Sequence, residues 1–411
     1  MVLDQAKYKI NMLRRIIHFI AYKRHPWRAM DFNELAEIYT SMSLRSLGFG
    51  MIGIFVPVYL YTKGVALQDV FWFLATFFAT RIPTSVLAGY LTGRIGPKHT
   101  LAVSTVFMIV FLGMLMSFKA YAWPLLLLGL VYSIANSLFF VSYQTDFSKV
   151  KHKSHAGKEL GWLYFFERAG GMVGPVIGGA VGSLWAPEAT LIVACSVFVL
   201  SLVPLFMTNE PVKTHTKVQF KGFKPQRYAR NFIAIAAFNT QHAAISWVWP
   251  LFIAVFIFKT GTYAKVGALV GLTMAISVVC ARAYGAFIDS KKGRYVLRYG
   301  VFLNFILNFA KATVSGASGV VAASAFGEPV SLSYSMPLSK GLFDEADGDD
   351  NHRIVYLTWS EIVAGATKTI FFFVIYIMIH FYDAETVLRT SYFVVPFIGL
   401  LMLTQKFKAL R

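Results

Sequence analysis

Twelve long apolar stretches, parted by short polar breaks, account for nearly all of this sequence. They run over about 35–62, 68–92, 99–117, 122–146, 159–184, 188–207, 232–258, 264–288, 296–314, 318–340, 354–380 and 388–405. Each is close to the roughly 20 predominantly apolar residues that a helix needs to span a bilayer. Six lie on each side of a polar stretch at 209–230, which has no apolar periodicity and contains Pro211 and Pro225. The predicted architecture is all-α and polytopic, with twelve transmembrane helices in two six-helix pseudo-symmetric bundles over 31–208 and 231–411, joined by a cytoplasmic linker over 209–230. Residues 1–30 read either as a basic amphipathic helix on the inner leaflet, with Ile10, Leu13, Ile17 and Ile20 on one side, or as a flexible tail.

The two bundles are written as a repeat. A short polar loop ends a long apolar segment in each: GYLTGRIGPKH from Gly89 and GAFIDSKKGRY from Gly285. Ser142 and Tyr143 with Ser148 and Lys149 recur as Ser333 and Tyr334 with Ser339 and Lys340. The stretch 163–171 (LYFFERAGG) recurs loosely as 357–365 (LTWSEIVAG). Three echoes in one order indicate duplication. Transporters built from such halves place the substrate site where the halves meet, near the bilayer midplane.

Charge refines the picture. The chain is 56% hydrophobic and only 14% charged, which excludes an ordinary soluble domain. Its net charge of +19 is distributed by topology. With the N-terminus inside, inner loops and tails hold roughly 28 Lys and Arg and outer loops about five, so both termini are expected in the cytoplasm and the chain in the plasma (inner) membrane. No basic patch with interleaved aromatics lies outside a membrane flank, so nucleic acid is not an expected partner. Arg14, Arg15, Lys23 and Arg24 interrupt the apolar residues near the start, and no secretory signal is expected. Cys195 and Cys280 sit inside spans and give neither a disulfide framework nor metal-ligand spacing. No nucleophile–base pair, HExxH or phosphate loop is present, so no enzyme, metal or cofactor is expected. The aromatic content, 16% with 38 Phe, suits lipid-facing belts and equally a greasy cavity.

Six-plus-six spans, with a Gly-rich basic loop after the second span of each half, resemble the major facilitator superfamily. That family's loop reads Gly-x-x-x-Asp-Arg-x-Gly-Arg-Arg or close to it. Gly89, Arg94, Gly96 and Lys98 match, with Gly93 where the Asp is expected; Gly285, Asp289, Gly293 and Arg294 match in the second half, with one extra residue before the second glycine. The glycines are expected to supply a tight turn and the charges to latch onto neighbouring helix ends. Gly170, Gly174, Pro175, Gly178 and Gly179 in the fifth span resemble the Gly-Pro-x-x-Gly-Gly signature of the drug–proton antiporter branch. That resemblance implies export, while small residues around a proline also serve plain helix packing.

Ionisable residues inside spans are expensive and therefore functional candidates. Arg45, His242 and Glu328 sit near the middle of the first, seventh and tenth spans, which line the cavity in the superfamily. On that analogy they face substrate, with Asn136, Gln241 and Trp247 nearby. Glu328 would carry the proton, and Arg45 would be its charge partner or an anion anchor; structural roles for all three are the alternative. The superfamily packs the second span on the eleventh and the fifth on the eighth. Inter-half bridges Glu167–Arg282 and Glu361–Arg81 follow, the first preferred because the depths of the second differ by about five residues, roughly 7 Å. The acidic run at 344–350 and the basic loop at 149–158 either attract and close the inner face or are simply solvated. The weakness of exposed pairs favours solvated loops. Lys311, Lys368 and Arg168 receive no placement.

The expected function is secondary active transport of a small molecule by alternating access in a lipid bilayer, by a monomer, with proton-coupled export of an amphipathic or lipophilic compound in front. Uptake of a sugar or organic anion, and a non-transporting sensor or scaffold on the same fold, are the alternatives.

Overall fold

The computed structural model describes residues 32–410 apart from 53–54, 152–155, 186, 208–217, 219, 259–261, 289–291 and 349–351. The expected N-terminal segment, residues 209–217 and 219 of the expected linker, and Asp289 lie outside the described residues. A helical rod occupies each of the twelve apolar stretches, and no strand occurs among the described residues. The rods are α1 (Phe32–Ile52 and Phe55–Thr62), α2 (Leu67–Ile95), α3 (Pro97–Met116), α4 (Leu125–Val150), α5 (Ala156–Leu184) and α6 (Pro187–Leu200), then α7 (Ala229–Ala243, running on to Ile253–Ile257), α8 (Thr262–Phe287), α9 (Gly293–Thr313), α10 (Ala317–Asp347), α11 (Arg353–Phe381) and α12 (Ala384–Leu400).

Among the described residues, nine rods are long and apolar enough to cross a membrane: α1 to α4, α6 to α8, α11 and α12. The other three, α5, α9 and α10, carry Glu167 and Arg168, Lys311, and Glu328. Prolines lie inside α2 (Pro83), α5 (Pro175), α10 (Pro329 and Pro337) and α12 (Pro396). In α7, Pro250 sits between two π-helical turns, Ala244–Val248 and Ile253–Ile257. A proline cannot donate to the preceding turn, and wide turns accommodate the broken ladder.

The rods form two sets. In the first, α1 packs on α5 and α6, and α4 on α2 and α3; in the second, α10 packs on α8 and α9, and α7 on α11 and α12. Two seams join the sets, α2 against α11 and α5 against α8. The C-terminal turn Lys408–Leu410 packs beside Gly293, and Phe407 beside Gly341, at the face that also carries Pro225–Tyr228. This is the linker face.

The apolar core divides by depth rather than by half. One cluster includes Met51, Phe71, Phe77, Phe111, Leu251 and Phe372, towards the opposite face. A second includes Leu35, Phe147, Leu160, Leu297, Phe343 and Phe407, towards the linker face. Both draw on both sets of helices, and most of the intramembrane charges lie at the level between them.

Small residues decide how closely α5 approaches α1. A Cβ at Gly170 would stand 1.9 Å from the Ser43 carbonyl oxygen, and one at Gly174 would stand 2.5 Å from that of Leu47. Gly178 faces Met51 at 3.2 Å, whereas Gly179 has nothing within 4 Å. The spacing of four residues keeps Gly170, Gly174 and Gly178 on one stripe, and Gly179 is rotated off it. Gly170→Ala is expected to destabilise the protein by about 1–3 kcal/mol through overpacking. Gly179→Ala should leave the melting temperature in detergent unchanged; equal shifts for the two would remove the stripe as the contact that sets α1 on α5.

Candidate functional site

The charged level between the clusters holds two ion pairs that cross between the halves. On the α2–α11 seam, Arg81 bridges Glu361, both side chains being more than nine-tenths buried. The Gln144 side chain on α4 donates to the other Glu361 carboxylate oxygen at 2.6 Å. The Arg81 guanidinium also lies 4.6 Å from the centre of the Phe140 ring. Three helices thus converge on one carboxylate. The depth offset that placed this pair second does not keep it apart, because a long arginine side chain spans it. For the preferred Glu167–Arg282 pairing, the Arg282 side chain lies outside the described residues.

The second pair joins α5 to α10. Arg168 Nη1 stands 3.1 Å from Glu328 Oε2, with the side chains 15% and 19% exposed. That Glu328 oxygen has no aligned hydrogen bond among the described residues, whereas Arg168 Nη1 also meets Met274 Sδ on α8 at 3.3 Å. Charge rather than hydrogen-bond geometry holds this carboxylate. Glu167 lies within electrostatic range of both Arg168 and Glu328. Lys311, buried on α9 with its ammonium 5.1 Å from the Trp249 ring centre, also acts on Glu328. Glu328 immediately precedes Pro329, so it sits where the α10 ladder is broken.

Arg45 is therefore not the partner of Glu328. It is 2% exposed inside the first set of helices, hydrogen-bonded to Ser104 Oγ at 2.9 Å and Thr105 Oγ1 at 3.1 Å, over the Phe139 ring at 4.1 Å. Asn136 is also buried there, donating to the Tyr132 carbonyl of its own helix at 2.9 Å. Gln241 is buried in the second set and donates to Asn308 at 3.2 Å. The 196-residue offset between Gly89 and Gly285 maps Arg45 onto Gln241, not onto His242. Both face the third helix of their own half, and a one-residue register error turns a side chain by about 100°. His242 is exposed, paired loosely with Ser246 at 3.3 Å, and lies within electrostatic range of Lys368, Arg168 and Arg81. Trp247 crosses to α2, 5.9 Å from Phe78 and 6.0 Å from Phe77 between ring centres.

The repeated loop glycines act inside helices rather than in the turns. A Cβ on Gly89 would stand 2.6 Å from Thr358 Oγ1 of α11, and one on Gly285 would stand 2.7 Å from the Gly157 carbonyl of α5. Both glycines let the seams close. The tight turn belongs to Gly96, whose φ of 89° favours glycine. Lys98 is buried and reaches Glu37 at 3.6 Å and Glu34 at 3.9 Å, a latch from α3 to α1. Gly293 opens α9, while Arg94 and Arg294 are exposed.

On the linker face the halves are shut. Phe147 of α4 meets Phe343 of α10 at 5.1 Å, the Tyr164 and Ser339 hydroxyls are 3.1 Å apart, and Lys151 Nζ bonds Asp344 at 2.5 Å. Lys151 is only 5% exposed, so this pair escapes the screening that favoured solvated loops.

A sequence model described as the Major Facilitator Superfamily matches residues 38–341. The chain belongs to the Major Facilitator Superfamily. It is 22% identical over 355 residues to the uncharacterised protein YqgE of Bacillus subtilis (strain 168), spanning 83% of this chain and 82% of that one. Its fold is similar to that of the human organic anion transporter MFSD10 (TETRAN), with a TM-score of 0.67, 11% identity, and coverage of 91% of this chain and 99% of the other. FucP, a fucose:proton symporter of E. coli, is similar in its outward conformation, with a TM-score of 0.66, 13% identity, and coverage of 90% and 96%. At these identities the likeness is one of fold.

Within this superfamily member, Arg168 and Lys368 are charged residues of the same level that reading by repeat position passed over. Their depth, next to Glu167 and two turns beyond Glu361, was the available signal. Neutralising Arg81 or Glu361 singly is expected to cost about 3–5 kcal/mol, since each leaves a buried charge alone. The double exchange Arg81→Glu with Glu361→Arg should recover part of that loss in thermal melts of the purified protein. A double variant no more stable than either single would show that the seam does not depend on this pair.

Proposed function

We propose that this chain is a secondary active transporter that moves a small amphipathic or lipophilic organic compound by alternating access, coupled to protons and operating as an exporter. The observation that carries the reading is the contrast between its two inter-half carboxylates. Glu361 is held by Arg81 and Gln144 from two other helices, whereas Glu328 is partly exposed and held by charge alone. A carboxylate beside a guanidinium keeps its charge, and taking up a proton cancels the attraction. Protonation of Glu328 would release α10 from α5, and α10 is also the helix that meets α4 where the linker face is shut. Proton binding and opening would then be one event, as exchange between two packed states requires. Export rests on the resemblance of the Gly170–Gly179 motif to the antiporter signature, and the expected inward orientation of the linker face on the lysine and arginine distribution.

Proteoliposomes under an imposed pH gradient, given a panel of dyes, sugars and organic acids, test this reading. Wild type is expected to drive at least one compound against its gradient. Glu328→Gln should retain exchange of that compound but lose its dependence on the pH gradient. Gradient-driven transport unchanged in Glu328→Gln would remove the coupling role, and no transport of any compound would favour a sensor on the same fold.

A further inference from the structure

Resting on the transporter reading above, we propose that the substrate carries an anionic head, a carboxylate or sulfonate on an aromatic body, and that Lys368 with His242 receives that head. Lys368 lies on α11 at the charged level and is 6% exposed. Among the described residues no carboxylate lies within ion-pair distance of its ammonium, which instead stands 5.1 Å from the centre of the Phe78 ring. The acid that acts on it electrostatically is Glu361 of the same helix, already held by Arg81 and Gln144. The other charges facing this space add to the cation: Arg81 acts on both Lys368 and His242, and Arg168 acts on His242.

An ammonium so buried, without a counter-ion, calls for one at this depth. His242 offers a second ring-nitrogen contact from α7, and it is exposed where Lys368 is not. The two residues come from helices of the second set, while Phe78 comes from the first, so a ligand here touches both halves. Phe78 stacks on Phe372 at 5.5 Å and meets the edge of Trp247 at 5.9 Å. These rings, of which Phe78 and Phe372 are themselves buried, give the cation apolar surroundings, which suit a flat aromatic body carrying the acid. A few placed polar groups against aromatic side chains are what orient a small ligand. Lys311 makes a useful contrast. It is buried over Trp249 too, but its charge acts on Glu328, and a glycine, Gly327, packs against its ammonium end at 3.4 Å from a would-be Cβ. It sits within the second set and, among the described residues, meets no ring of the first.

The test uses the purified full chain, with thermal melting read against 2-naphthoate and naphthalene-2-sulfonate and against the neutral 2-naphthamide. The acids are expected to raise the melting temperature and the amide is not. Lys368→Met should weaken the acids at least about tenfold, as removing one partner of a buried charge pair does, with Lys368→Arg retaining most of the affinity and the exposed loop variant Lys119→Gln all of it. Should Lys368→Met give no cooperative melt, His242→Asp puts a negative charge at the exposed contact and is expected to weaken the acids by a similar factor. Equal stabilisation by acid and amide, none by either acid, or affinity within about twofold of wild type in both Lys368→Met and His242→Asp overturns the assignment. Proteoliposome transport separates the two readings. A neutral or cationic solute driven without competition from the acids overturns the anion site and leaves the transporter standing. Lys368-dependent acid binding without any transport supports the site and removes the transporter.

Discussion

A charged side chain at the centre of a bilayer costs about 2.5–3.5 kcal/mol even on insertion scales, and more if nothing meets it. This chain places Arg81, Arg168, Lys368, Glu328 and Glu361 at the level between its two apolar clusters. The cost is offset where opposite charges meet, and here the charges that meet belong to opposite halves. The same constraint that makes these residues expensive therefore joins the two bundles at mid-depth. Away from that level the halves also meet through apolar and small residues, such as Phe71 with Phe372, or Gly161 beside Ala281 and Gly285, and through the Lys151–Asp344 pair on the linker face.

The seams need their glycines as much as their charges. An arginine can bridge to a glutamate on the next helix only if the helices lie close, and Gly89 and Gly285 remove the side chains that would hold α2 from α11 and α8 from α5. The repeat thus encodes two interfaces of one kind. What it does not encode twice is the charge set: α2 and α11 carry a closed pair, while α5 carries Glu167 and Arg168 side by side and directs Arg168 to α10.

Apolar length and the duplicated motif made the helices legible, because these are properties of the chain itself, whereas their pairing across the halves came from the resemblance to the superfamily. The orientation of single side chains was less legible. Arg45 and His242 were expected at equivalent depths, both facing the cavity, because similar endings, YLYTKG and FIFKTG, follow them at similar distances. The structure turns Arg45 into its own bundle and leaves His242 exposed, and the register set by Gly89 and Gly285 pairs Arg45 with Gln241 instead. Depth is read from counting residues, whereas facing depends on rotation, and two π-turns in α7 alter that rotation beyond Ala243. Gly89 and Gly285 were read as turn residues, as Gly96 in fact is, because they lie near helix ends; only the packing of the other half shows what stands over them. Lys151 and Asp344 were read as solvated because both fall in loops by composition, and it is the approach of α4 to α10 that buries the lysine.

Arg168 stands between the α5–α8 seam and α10. One guanidinium nitrogen touches Met274 on α8 and Glu328 on α10, so it is held by the α5–α8 seam on one side and by a titratable acid on the other. If Glu328 loses its charge, Arg168 keeps its contact on α8 and the halves stay joined along that seam. What it releases is α10, whose far end carries Phe343 and Asp344 into the closed linker face. Packed helices exchange between discrete arrangements rather than deforming continuously. A contact that is weak by geometry and strong only by charge is the kind that a single proton can remove, and under the proposed coupling the contrast with Glu361, held by both Arg81 and Gln144, would put the moving end at α10 rather than at α11.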